Sequence, residues 1–119
     1  MRDDRALLID IVEHAREIRK AMASLTRENF DANFMLKMGI THTLQVIGEA
    51  ARYLPEPARQ QYPGIPWKQV VGMRHLLVHE YFKIDFDLVW QTATISIPEL
   101  LAELEPTIGP LIDSHQGPK

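Results

Sequence analysis

Residues 40–54 read ITHTLQVIGEAARYL, and within them Ile40, Leu44, Ile47, Ala51 and Leu54 recur at alternating steps of four and three. That interval returns each apolar side chain to one stripe of an α-helix, so the segment is a long amphipathic helix with one face turned to a core. Asp31 lies upstream as a capping carboxylate. Gly48 sits inside the helix, where glycine costs about 1 kcal/mol relative to alanine. The offsetting gain is close approach of a neighbouring helix over the thin patch formed by Gly48, Ala50 and Ala51.

The same interval appears on either side. Leu8, Ile11, Ala15, Ile18, Met22 and Leu25 define a first helix, with Glu13, Arg16, Glu17, Arg19 and Lys20 on its wet face, and Ser24 and Thr26 end the pattern. Downstream, Pro55, Pro57, Pro63, Gly64 and Pro66 stop the second helix and leave a connecting segment with one short turn near Ala58–Gln61. Pro66 or Trp67 opens a third helix, whose inward face is Val70, Met73 and Leu77 and whose end frays between His79 and Phe82. Asp85 or Asp87 caps a fourth, carried by Ile97, Leu101, Leu104, Ile108 and Leu111 and kinked or split at Pro98. No useful strand alternation and no repeat interrupts this order. The prediction is an all-α, antiparallel up-and-down four-helix bundle over residues 1–112, followed by a loose tail over 113–119.

Composition narrows the function classes. The chain has 119 residues, 45% hydrophobic and 24% charged, enough for one self-sufficient core and unlike a disordered or fibrous sequence. It contains no cysteine, which rules out disulfides and thiolate metal sites and fits a reducing, cytoplasmic setting. Its first residues mix both signs of charge and no apolar run approaches the ~18 residues of a membrane span, so neither a signal peptide nor a membrane role is expected. A net charge of −3 withholds the overall positive field of most nucleic-acid binders, although a local basic cleft on an acidic body would still attract phosphate.

Chemistry concentrates in Gly72-Met73-Arg74-His75-Leu76-Leu77-Val78-His79-Glu80-Tyr81-Phe82, where one guanidinium, two imidazoles, one carboxylate and one phenol fall within eight positions around a helix end. Arg74 and His79 would stand ~140° apart on an ideal helix, so a joint site requires the helix to end between them or a second chain to supply the complement. Taken without their surroundings, the same residues would serve equally well as a polar helix terminus satisfying its last carbonyls. His75 and His79 also have the spacing of a helical metal pair, with Glu80 or His42 as a third ligand, but no second such pair completes a bundle metal site. No metal or other cofactor is called for. His14 and His115 read as solvated, the methionines as core filling, and Trp67 and Trp90 as packing residues before base-stacking platforms.

Arg74, four residues, His79, Glu80 and Tyr81 resemble the R-x4-H-x-Y signature of HEPN proteins. Ile47-Gly48-Glu49-Ala50-Ala51 resembles the I-G-E-A-A element of the HepT-like (DUF86) group, and Tyr62-Pro63-Gly64-Ile65-Pro66-Trp67 followed by Gly72-Met73-Arg74 resembles its Y-P-x-I-P-W…G-M-R stretch. With Leu88-Val89-Trp90 and Pro98-Glu99-Leu100, the resemblance runs in order along nearly the whole chain. His75 departs from it, since the family pattern favours asparagine after the arginine.

The resemblance implies a metal-independent ribonuclease that is the toxin of a toxin–antitoxin pair, acts as a homodimer on RNA, and is silenced by a minimal nucleotidyltransferase that transfers AMP to the motif tyrosine. Carried onto this chain, His79 is the proton acceptor, Arg74 the cation for the phosphorane and Tyr81 the modified and substrate-positioning phenol. Glu49 is placed behind Arg74 to hold it, and His75 beside it to orient Arg74 or a phosphate. The competing expectation, favoured by the acidic net charge, is a noncatalytic helical partner or regulator of a nucleotidyltransferase.

Overall fold

The structure, a computed structural model, describes residues 3–80 and 83–115, with the backbone alone for His79, Glu80 and His115. Three helices of 19 residues carry the fold: α1 (Asp4–Met22), α3 (Phe34–Arg52) and α8 (Ile97–His115). Between them lie the short helices α2 (Arg27–Ala32), α4 (Glu56–Gln60), α5 (Trp67–Val71), α6 (Met73–Leu77) and α7 (Phe86–Gln91). A π-helical turn, Thr92–Ser96, joins α7 to α8 into one run. Helix α1 packs against both α3 and α8, while α5 and α6 lie on α3. This is the expected four-helix bundle, its third member divided in two and α2 added.

The stripes read from the sequence face the core, except at the end of α8, where Leu111 is exposed and Ile112 is buried in its place. Ile11, Ala15, Ile18, Leu44, Ile47, Ala51, Leu101 and Leu104 are all buried. At roughly 25 cal/mol per Å² of apolar surface removed from water, such side chains supply most of the bundle's stability. Gly48 has the predicted role: a Cβ there would stand 2.7 Å from the Val70 carbonyl oxygen and 3.0 Å from Met73 Cβ, so only glycine lets α5 and α6 come this close to α3.

Several boundaries differ from the sequence expectation. Asp31 does not cap the second long helix. Thr26 caps α2 through the Asn29 N–H (3.1 Å), Asn33 caps α3 through the Leu36 N–H (3.0 Å), and Asp31 accepts from Arg27 (2.9 Å). The extra helix exists because Phe30 is fully buried, its ring tilted 5.3 Å from Trp90 and edge-on 6.4 Å from Phe86. Pro98 accompanies the expected break in regularity, a π-helical turn that joins α7 to α8 without ending the helical run. Lacking an N–H, it occupies the first turn of α8, and the irregularity falls just upstream, where the Ile97 N–H reaches the Thr92 carbonyl. The boundary expected at 113 falls inside a helix: α8 continues to His115, and Asp113 accepts a hydrogen bond from Arg16 at 3.0 Å.

The segment between the second and third helices is tied down along its length. Arg59 donates to the Ala51 and Arg52 carbonyls at the end of α3 (3.2 and 3.3 Å), and Trp67 Nε1 donates to the Arg59 and Tyr62 carbonyls (2.9 and 3.1 Å). Tyr62 and Thr107 share a 2.8 Å hydroxyl contact that anchors the segment to α8. Trp67 is therefore a buried staple, and the start of α5 is fixed from both sides. Among the described residues, no helix is long and apolar enough to cross a membrane.

Candidate active site

Helices α5 and α6 meet at Gly72, whose backbone (φ −83°, ψ 13°) leaves the helical range and restarts the chain at Met73. Met73 and Leu77 point into the core, which leaves Arg74, His75 and Leu76 exposed on the opposite face. Arg74 makes no ion pair or hydrogen bond through its side chain with any described residue.

The helix ends at Leu77 instead of fraying through His79. Val78 turns to extended backbone (φ −122°, ψ 101°) and begins a strand, β1 (Val78–Glu80), which pairs antiparallel with β2 (Lys83–Ile84). Val78 lies opposite Ile84 and Glu80 opposite Lys83, so β1 spends two steps where β2 spends one. His79 is the extra residue, a β-bulge, and bulges bend their strand and interrupt its ladder, often beside active sites. The ~140° separation of an ideal helix does not apply here, since the helix stops between Arg74 and His79. The side chain of His79 and all of Tyr81 lie outside the described residues, so their expected roles are not placed.

The base of this hairpin is well held. The Asp85 N–H donates to the Leu77 carbonyl at 2.8 Å, and the Asp85 carboxylate caps α7 by accepting from the Leu88 N–H at 3.0 Å. This is one of the two capping positions predicted for the fourth helix. Phe86 follows at once, with Phe30 against one edge and the ammonium of Lys37 4.5 Å from its ring centre.

Glu49 is exposed on α3 and accepts from Arg52 at 3.1 Å, while Arg52 also donates to the Tyr53 hydroxyl at 3.1 Å. Within the chain its carboxylate is thus engaged by Arg52, with no contact to Arg74. His75 stands exposed beside Arg74. Among the described residues, no cluster of three or more histidines and carboxylates is arranged to hold a metal. Lys37 carries no signal in the sequence, because a lysine amid a helix reads as part of a wet face; the aromatic at Phe86 that holds it is distant in the chain.

Residues 11–107 match the family model for "Ribonuclease HepT-like" proteins. The chain is 40% identical over 107 residues to a protein of Methanocaldococcus jannaschii named "Putative RNase MJ1216", which covers 90% of this chain and 88% of that one. It is 36% identical over 104 residues to a second protein of that organism, "Putative RNase MJ1380", covering 87% and 95% respectively. A protein of Thermococcus cleftensis named "Probable ribonuclease HepT" is 30% identical over 104 residues, covering 87% and 94%. No solved structure matches the chain with significance. The extent of these matches, on a helical bundle with the motif at the end of α6, establishes that the chain belongs to the HepT-like family of the HEPN superfamily.

Proposed function

We propose that this chain is a cytoplasmic toxin of a toxin–antitoxin pair: a metal-independent endoribonuclease that works as a homodimer and is silenced when a cognate minimal nucleotidyltransferase transfers AMP to Tyr81. The end of α6 carries this reading. An exposed guanidinium without an ion pair among the described residues is followed, three residues on, by the end of the helix and then by a bulged strand bearing an imidazole. Family membership supplies the reaction class.

In the reaction, the 2′-oxygen of one nucleotide bonds to its own 3′-phosphorus while the bond from phosphorus to the next 5′-oxygen breaks. The products are a 2′,3′-cyclic phosphate and a 5′-hydroxyl. His79 accepts the 2′-hydroxyl proton, a task suited to a group titrating near neutrality, and the departing 5′-oxygen takes up a proton in exchange. Arg74 faces the equatorial oxygens of the phosphorane with forked, permanently charged donors. Because no described residue neutralises Arg74, it gives the acidic protein a local positive site for phosphate. His75, adjacent and exposed, adds a second contact to the strand.

One small bundle offers only a shallow surface, so two copies related by a twofold axis would line a shared cleft with both motifs. In such a dimer, Glu49 would serve Arg74 only by leaving Arg52. The antitoxin step is nucleotidyl transfer: the Tyr81 phenol oxygen bonds to the α-phosphorus of ATP, pyrophosphate leaves, and bulk with negative charge enters the cleft RNA must occupy.

Incubating purified protein with RNA in EDTA tests the catalytic part. Fragments ending in 2′,3′-cyclic phosphate are expected from the wild type and not from His79→Ala; cleavage that persists undiminished in His79→Ala refutes the assignment. Adding the nucleotidyltransferase and ATP, then locating the adduct by mass spectrometry, tests the modification. AMP found solely on another residue overturns it. The net charge of −3 favours a second reading, a noncatalytic regulator of a nucleotidyltransferase, which intact RNA in the first assay would support.

A further inference from the structure

We infer that Phe34 and Lys37, on the α3 face beside the hairpin, form a nucleotide subsite in which Lys37 takes an RNA phosphate and the Phe34 ring stacks on a base. This rests on the reading that the substrate is RNA, and it extends that site beyond the Arg74–Tyr81 motif.

Lys37 is half-buried, yet no described carboxylate pairs with it, and its ammonium is held over the Phe86 ring at 4.5 Å. Three other cations of the bundle are treated differently: Arg16 is spent on Glu105 and Asp113, Arg27 on Asp31 and Asp87, and Arg52 on Glu49. An aromatic face fixes a cation without neutralising it, so Lys37 keeps its charge and donors for an anion from outside. Its position is set as well. Phe86 follows Asp85, whose N–H closes onto Leu77, and β2 just before it pairs with the strand bearing His79. Phe30 packs edge-on against the same ring.

Phe34 lies three residues before Lys37, hence on a neighbouring part of the same helix face. It is 63% exposed and Met35 beside it 76% exposed, as Tyr53 is elsewhere, whereas Phe30 and Trp67 are buried. A flat apolar ring next to a fixed, unneutralised cation is the pairing that single-strand binders use, with the ring taking any base and the cation the backbone. In an acidic protein, such a local site is what a phosphate chain requires beyond the reacting group itself.

Binding of a short fluorescein-labelled oligouridylate tests the proposal, measured across a salt series in a His79→Ala background so that the strand survives. Lys37→Met retains the apolar stem on Phe86. It should weaken binding and reduce the slope of log Kd against log salt by about 0.7, the value for one lost phosphate contact on a single strand. Lys37→Arg should restore the slope. Phe34→Ala should weaken binding about tenfold with the slope unchanged, and Phe34→Trp should recover it.

Unchanged affinity and slope in both Lys37→Met and Phe34→Ala overturn the subsite. So does a change in sedimentation with unaltered RNA affinity per copy, which would assign the patch to a second copy of this chain. The two readings fail separately: wild type that binds the oligonucleotide but leaves RNA uncut refutes the ribonuclease while the subsite stands. Wild type that cuts while both variants bind normally refutes the subsite alone.

Discussion

Along the α1–α8 seam, Arg16 donates to both oxygens of Glu105 at 2.9 and 2.6 Å and to Asp113 at 3.0 Å, with Arg19 closing on Glu105 at 3.5 Å. Between Gly72 and Phe86 the chain instead runs through a five-residue helix, a bulged two-strand ladder and a capped turn, and Arg74 stands on its surface without such a partner among the described residues. Both regions rest on the same core, through Ile11 and Ala15 on one side and Met73 and Leu77 on the other. They differ in where polar groups are spent. In the seam, charge is satisfied internally and two long helices are locked together. In the hairpin, backbone regularity is given up and Arg74 has no charge partner among the described residues, so that its exposed side chain is held from below and left available above.

If that division is right, a substitution at Arg74 should separate activity from stability more than any other. Arg74→Ala is expected to lower RNA cleavage at least ~100-fold, the usual loss for a donor that meets developing charge. Its melting temperature should stay near that of the wild type, because the side chain is exposed and bonded to nothing described. A large drop in melting temperature would mean that Arg74 belongs to the scaffold. Gly48→Ala breaks the comparison from the other direction. Its Cβ would meet the Val70 carbonyl, which cannot swing aside as a side chain can. Overpacking of this kind costs about 1–3 kcal/mol, against the ~1 kcal/mol that alanine gains in a helix interior. Urea unfolding should show net destabilisation, and cleavage should fall as α5 and α6 are pushed from α3; a stabilised, fully active variant would show that the close approach is not needed.

The legible part of the fold was what periodicity controls. The stripe from Ile40 to Leu54 and its counterparts in α1 and α8 follow from 3.6-residue geometry and are buried as expected up to Ile108, beyond which Ile112 takes the inward place expected of Leu111, and the reason for Gly48 could be given before its neighbours were known. Asp85 was legible as a cap because a short polar side chain ahead of an apolar run has few other uses. The hidden features depend on contacts distant in sequence. Phe30 looks like part of a loop until Phe86 and Trp90 are seen to receive it, and only that packing creates α2 and moves the cap from Asp31 to Asn33. The bulge at His79 has no local signature, since two-residue strands lie below the reach of alternation. For the site, the motif singled out Arg74 by residue type and spacing, and its exposure on α6 follows from Met73 and Leu77 turning inward. The Glu49 role came by resemblance alone, and its carboxylate is engaged by Arg52, three residues along its own helix.

Asp85→Ala probes the support beneath the hairpin. Losing the bond to the Leu88 N–H should cost about 1 kcal/mol, as N-caps do, and should reduce cleavage by more than that loss of folded protein explains. Asp85→Asn, which can still accept, should recover most of both. Equal activity per folded molecule in Asp85→Ala would show that the hairpin holds its shape without the cap.

The smallest effect belongs to the seam, and its pH dependence identifies it. The hydrogen bonds from Arg16, more than its bare charge, hold the Glu105 carboxyl below the usual carboxylate range, despite a partial opposing push from burial. A carboxylate depressed on folding contributes stability above its unfolded pKa and loses it as pH falls through the folded value. Glu105→Gln should therefore unfold more easily than wild type at pH 7, by about 1 kcal/mol for a partly exposed pair. The gap should close on acidification from about pH 4 downward, as the wild-type carboxyl takes up its proton. High salt should narrow it at neutral pH, because both side chains retain some solvent contact. Cleavage per folded molecule should be unaffected, since Glu105 lies on the α1–α8 seam and has no part in the hairpin. A gap that persists unchanged at acid pH would assign the loss to packing of the Arg16 and Glu105 side chains over Gly109.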